Sequence, residues 1–156
     1  MLRSTKKPGR TTRTHFETTA PRPQYTDALG LGVPDTPSLI QQVTQGLPYA
    51  ALERLQRRYA LATRDITEVI LPLRTLTRRR ISGRLTAEES DRVLRVARLM
   101  HRATTLFNND PEAAKAWMTS AHSSFGGAVP LALAKTEVGA REVEDALLRI
   151  EDGVFA

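Results

Sequence analysis

From residue 38 onward the apolar side chains recur at intervals of three and four, and no stretch alternates convincingly with the two-residue period of a half-buried strand. Ser38 to Gln45 carries Leu39, Ile40 and Val43 and is closed by Gly46, after which Pro48 opens a second helix with Leu52, Leu55 and Tyr59. Thr63 is placed to cap a helix from Arg64 to Ile70 with Ile66, Val69 and Ile70 inward; Pro72 disfavours helix at Leu71, and helix resumes near Arg74. Thr86-Ala-Glu-Glu89 is a capping box starting a long helix from Ala87 to Phe107, whose stripe is Val93, Val96, Ala97, Met100, Ala103, Thr104 and Phe107. Asp110-Pro111-Glu112 starts another, carrying Ala113, Ala116 and Trp117. Pro130 begins a short helix, Gly139 interrupts it, and Arg141 to Ile150 forms the last, with Val143, Ala146, Leu147 and Ile150 inward. The fold class is all-α.

Residues 1–37 have no such period. They hold eight Thr, five Pro and six basic side chains, too little apolar surface to offset the entropy of ordering. They read as a flexible basic tail, with Arg3, Lys6, Lys7, Arg10 and Arg13 as an alternative arm for DNA phosphates. The remainder divides into a small helix-turn-helix domain over 38–84 and a second helical domain over 85–156. Of the 156 residues 40% are hydrophobic and 26% charged, an ordinary globular balance. The chain has no Cys, which excludes a disulfide framework, a thiol nucleophile and Cys-ligated metal. With no apolar run near 18 residues and no apolar core of a signal peptide, the expectation is a cytoplasmic protein without a membrane partner.

Charge sharpens the division. Residues 1–84 hold 15 basic and 6 acidic side chains, whereas 85–156 hold 8 and 11. The first half is suited to an anion and the second is not. Five Arg fall in the eleven residues 74–84. Read as a helix-turn-helix, Arg64 to Ile70 is the first helix, Leu71-Pro72-Leu73 the turn and Arg74 to Ile81 the recognition helix, with Leu76 inward. Arg74, Thr75, Arg78 and Arg79 lie on the open side, Thr77 and Arg80 nearer its edges. Arg can bridge guanine O6 and N7, and Thr and flanking Arg suit phosphate oxygens. A solvated basic face is the plainer alternative. Because operator half-sites match a two-fold protein, a homodimer is expected.

The second half carries Leu85-Thr86-Ala87-Glu88-Glu89-Ser90-Asp91-Arg92, then Arg95, then Ala113 to Met118, then Gly126-Gly127-Ala128-Val129-Pro130-Leu131-Ala132-Leu133, then Thr136 to Gly139, Glu142-Val143-Glu144 and Ile150 to Gly153. In this order and spacing the set resembles the Xre/MbcA/ParS-type antitoxins that partner RES-domain toxins, over about residues 60–156. Met118 and Ala134 stand where that family usually has Leu. The resemblance implies an amino-terminal helix-turn-helix that binds operator DNA to autorepress the operon. It also implies a carboxy-terminal helical domain that binds and blocks a toxin which consumes or modifies NAD, in a larger hetero-oligomer, with no cofactor and no enzymatic activity of its own.

Candidate toxin contacts follow within that frame. The chain ends Glu151-Asp152-Gly153-Val154-Phe155-Ala156, where Val154 and Phe155 either staple the last helix or project beside carboxylates as a plug for a basic, nucleotide-binding pocket. Trp117 is either core or a partner hot spot, and the Ser123–Gly127 turn is expected to expose Phe125. That turn lacks the Gly-Lys-Ser/Thr ending of a phosphate loop. His15, His101 and His122 are too few and too separated for a metal site. Glu89, Asp91 and Arg92 read as capping and ion-pairing residues. Besides an antitoxin, a free-standing helix-turn-helix regulator is compatible with these features.

Overall fold

The helix started by the capping box organises the molecule. The computed structural model describes residues 22–153, and its elements are α1 (Thr36–Gln45), α2 (Tyr49–Arg58), α3 (Thr63–Val69), α4 (Leu73–Ser82), α5 (Ala87–Leu106), α6 (Pro111–Thr119), α7 (Pro130–Leu133) and α8 (Glu137–Glu151), with 3-10 turns at Gln24–Leu29 and Ser123–Phe125. At the start of α5 the Thr86 hydroxyl accepts from Glu89 N–H (3.2 Å), and the Glu89 carboxylate accepts from Thr86 N–H (2.9 Å). Glu89, Ser90, Val93, Val96, Ala97, Leu99, Met100, Ala103 and Thr104 are buried on α5. At about 100° per residue they cover about half the helix circumference, so two layers can pack on it. The first 3-10 turn, α1 and α2 take one part of that arc, while α6 and α8 take another. Each buried Leu or Met contributes roughly 1.5–3 kcal/mol relative to exposure.

Part of the segment expected as tail is packed instead. Thr26 and Leu29 are buried where the first 3-10 turn packs on α2 and α5, and Leu31 and Val33 are buried in the same apolar core. Too short to show a period, this apolar cluster is held in place by Arg54, whose guanidinium donates to the Leu29 and Gly30 carbonyls (3.4 and 3.3 Å). Asp35 then caps α1 by accepting from Ser38 N–H (2.8 Å). Arg3, Lys6, Lys7, Arg10 and Arg13 lie outside the described residues.

The division expected at 84/85 crosses a continuous apolar core running from Leu29 to Leu147. The chain entering α5 is tied to the α1–α2 connection: Leu85 N–H donates to the Leu47 carbonyl (2.9 Å), and Leu47 N–H donates to the Ser90 hydroxyl (2.8 Å). Gly46 allows this approach. Its φ is +88°, and a Cβ there would lie 2.1 Å from the Leu85 carbonyl oxygen.

Two helix starts and one inward face differ from expectation. Ala62, not Thr63, is the cap residue of α3, and the Asp65 carboxylate reaches back to accept from Ala62 N–H (2.8 Å). Gly139 does not interrupt: α8 starts at Glu137, with the Thr136 hydroxyl accepting from Gly139 N–H (3.0 Å). Glycine is required there because a Cβ would sit 2.1 Å from the Leu133 carbonyl oxygen at the end of α7. On α6 the inward residues are Ala114 and Met118, while Ala116 is exposed.

Candidate nucleic-acid interface and partner face

Proline makes the turn between α3 and α4. After Val69 the Ile70 and Leu71 amides both donate to the Ile66 carbonyl, and extended Pro72 (φ −60°, ψ 154°) leads into α4. From α5, Arg92 donates through Nε to the Ile70 carbonyl (2.7 Å), satisfying a helix-end acceptor and fixing the turn against the long helix. Leu76 is the buried residue of α4. Opposite it lie exposed Arg74, Arg78 and Ile81, with half-buried Thr75 on one flank, exposed Thr77 on the other and exposed Arg80 nearer the buried side. No ion pair engages Arg74 or Arg78 among the described residues. An amphipathic helix has thereby placed two guanidinium groups on an open face with a threonine at each edge, a donor set suited to base edges and phosphates.

Arg79 is not part of that face. Its Nε donates to both carboxylate oxygens of Glu89 (3.1 and 2.8 Å), with the two side chains only 19% and 8% exposed. Five residues on from Arg74, it is turned by about 140° toward the start of α5, where the capping carboxylate captures it. Burial pushes the Glu89 carboxyl up, but hydrogen bonds from Arg79 and Thr86 N–H, with the charges of Arg79 and Arg92, outweigh this and hold it below its ordinary value of 4.5. Arg80 lies with its guanidinium carbon 5.9 Å from the centre of the Tyr49 ring, a cation–π contact that steadies the α4 flank. In the sequence Glu89 reads as a capping and ion-pairing residue; in the structure its ion pair is with Arg79, is largely buried and locks α4 to the start of α5.

A second face forms beyond α5. Trp117 packs between Phe107 (ring centres 6.4 Å apart), His122 (4.8 Å) and Phe125 (6.2 Å, edge-on). His122 Nε2 donates to the Trp117 carbonyl (2.8 Å), so the ring stack and the 3-10 turn are one unit. Trp117 and Phe125 are both half-buried: the structure brings these two candidates together, and Phe125 is packed where the turn suggested exposure. Glu151, Asp152 and Gly153 are exposed at the end of α8, with Glu151 3.7 Å from Arg102. Val154, Phe155 and Ala156 lie outside the described residues.

Between the faces runs an ion-pair ladder. Arg95 meets Asp91 (2.6 Å) and Glu137 (3.1 Å), and Arg98 meets Glu137 (3.2 Å) and Glu144 (2.6 Å), joining α5 to α8. Among the described residues no cluster of three His, Asp or Glu side chains is arranged to hold a metal ion, and no helix is long and apolar enough to cross a membrane.

Residues 38–98 match the family described as the antitoxin Xre-like helix-turn-helix domain, and residues 102–153 match the antitoxin Xre/MbcA/ParS C-terminal toxin-binding domain. Both matched regions include part of α5, the first ending and the second beginning within it. The chain is 35% identical over 120 residues to a protein named Antitoxin Xre from Yersinia enterocolitica, covering 76% of this chain and 81% of that one. Its identity to an Antitoxin Xre from Photorhabdus laumondii is 32%, with 77% and 82% covered. A third, from Pseudomonas putida, is 33% identical, with 72% and 70% covered.

Proposed function

The chain belongs to the Xre/MbcA/ParS family of antitoxins, and from that membership we propose that it neutralises a RES-domain, NAD-consuming toxin by direct binding and represses its own operon by binding operator DNA. It is an antitoxin of a type II toxin–antitoxin system, with a helix-turn-helix domain and a toxin-binding domain, and not an enzyme. The observation that carries the finer reading is the placement of two different faces on one rigid helix. The bare Arg74/Arg78 face of α4 is fixed to the start of α5 through Arg79–Glu89, and the Trp117 cluster packs on its far end through Phe107.

On the DNA side, α4 enters the major groove with Arg74, Thr77 and Arg78 toward the bases, Thr75 and Arg80 serve the backbone, and a homodimer matches a two-fold operator. On the toxin side, the Trp117–Phe125 cluster is the apolar anchor. The acidic end of α8, Glu151 and Asp152 followed by Gly153 to Ala156, stoppers a basic nucleotide-binding cleft. Co-expression with the neighbouring reading frame tests this. Cells expressing the neighbour alone should lose NAD and stop growing, and this chain should restore both and co-purify as a stable complex. A neighbour without toxicity and no co-purifying partner would establish a free-standing regulator instead.

A further inference from the structure

Ile81 is 85% exposed, the barest of the large apolar side chains in the described structure, and it lies on the basic face of α4. It comes seven residues after Arg74 and three after Arg78, so at about 100° per residue all three share one line along the helix. Together with Thr75, Thr77 and Ser82 these residues line a shallow open depression. The hydroxyls there are partly committed: Thr77 donates to the Leu73 carbonyl (3.2 Å), and Ser82 lies 3.3 Å from both the Arg79 and Arg84 carbonyls. With its donor used, Thr77 offers a base an acceptor lone pair and a methyl group, so the face presents guanidinium donors at one end and apolar carbon at the other.

The major groove of DNA contains one apolar group, the 5-methyl of thymine, and it is recognised by aliphatic carbon. A water-exposed isoleucine beside two arginines that meet no carboxylate among the described residues gains from association only if it is covered in the same docking event that engages them. We infer that Ile81 is a specificity-determining residue that packs on a thymine methyl in the operator. Arg74 lies about 10 Å away along α4, so the thymine falls about three base pairs from the base that Arg74 reads. This rests on the DNA-binding reading of α4 and adds a base identity to it.

The test uses the full chain and the shortest duplex from upstream of its own reading frame that footprinting shows to be protected. Each thymine is replaced in turn by deoxyuridine, which removes the methyl and leaves the base pair intact. At one position per half-site, affinity should fall about three- to tenfold, the size expected for one buried methyl group. I81A should lose a similar factor on the natural duplex and no longer distinguish thymine from uracil there, closing a double-mutant cycle. Ile81 stands in the last turn of α4 and is exposed, so I81A should melt as the parent does. If every deoxyuridine duplex binds as tightly as the parent, or if I81A weakens thymine and uracil duplexes equally, Ile81 does not read thymine and the DNA-binding role of α4 stands. If the parent chain binds no upstream duplex, both readings fall together.

Discussion

The two ends of the arginine distribution use one residue type for opposite purposes. On α4, Arg74 and Arg78 are exposed and meet no carboxylate among the described residues. On α5, Arg95 and Arg98 are spaced even more closely, yet Asp91, Glu137 and Glu144 neutralise both. Arg79 belongs with the second group although it lies beside Arg78 in the chain. Arginine density therefore does not mark a nucleic-acid surface; arginine left without a carboxylate does, because only an uncompensated guanidinium gains from releasing the counterions around phosphate.

The sharpest way to break this contrast is to remove the free pair. R74A/R78A should weaken operator binding by about 4 kcal/mol and lower the slope of log affinity against log salt by about 1–2, measured by fluorescence anisotropy across a KCl series. Its melting temperature should be unchanged, since neither side chain makes an internal ion pair among the described residues. The adjacent R79A should behave in the opposite way. It strands Glu89, 6% exposed, without its guanidinium partner, and should cost about 3 kcal/mol of stability in urea unfolding. Where R79A remains folded, the salt slope should be that of the parent. A lowered slope for R79A with normal stability would place that residue on the DNA and dissolve the distinction.

Much of this was legible in the sequence. The Thr86–Glu89 capping box, the Asp110–Pro111 start, the Leu71–Pro72 turn and the inward Leu76 follow from local rules that tertiary packing does not override. What sequence could not supply were partners distant along the chain. Arg79 and Glu89 are ten residues apart on different helices, and Arg92 reaches back to the Ile70 carbonyl. Leu29, Leu31 and Val33 have no helical period, since their burial depends on a core assembled from elements distant along the chain. Gly139 reads as a breaker because the close pass of the Leu133 carbonyl is invisible locally.

The partner face yields a smaller effect. W117A should weaken toxin binding by about 2 kcal/mol, seen by calorimetry with the purified toxin, and leave operator affinity as it was. Because Trp117 is half-buried against Phe107, His122 and Phe125, the variant must be compared with W117F, which keeps much of the packing. If W117A binds toxin normally, the cluster is a local core and the partner contacts lie elsewhere.

The smallest effect belongs to the ladder, and acid is the way to reach it. Glu137 is pushed up by partial burial, but the charges of Arg98 and Arg95 and their hydrogen bonds bring it below its ordinary 4.5. A carboxyl whose folded value lies below its unfolded one adds stability that is complete above the unfolded value. That stability is lost as pH falls through the folded value. The Glu137 side chain is 45% exposed, so solvent screens much of this, and E137Q should cost about 0.5–1 kcal/mol at neutral pH in low salt. The deficit should shrink toward zero in 1 M NaCl, and also as pH falls through the lowered value of Glu137, where the parent's own carboxyl is protonated. E89Q, at a buried site, should retain its deficit in high salt. Equal salt sensitivity in the two variants would mean that the Arg79–Glu89 pair is as solvated as the ladder, and that α4 is held by packing on Leu76 and by the Arg92 contact to the turn.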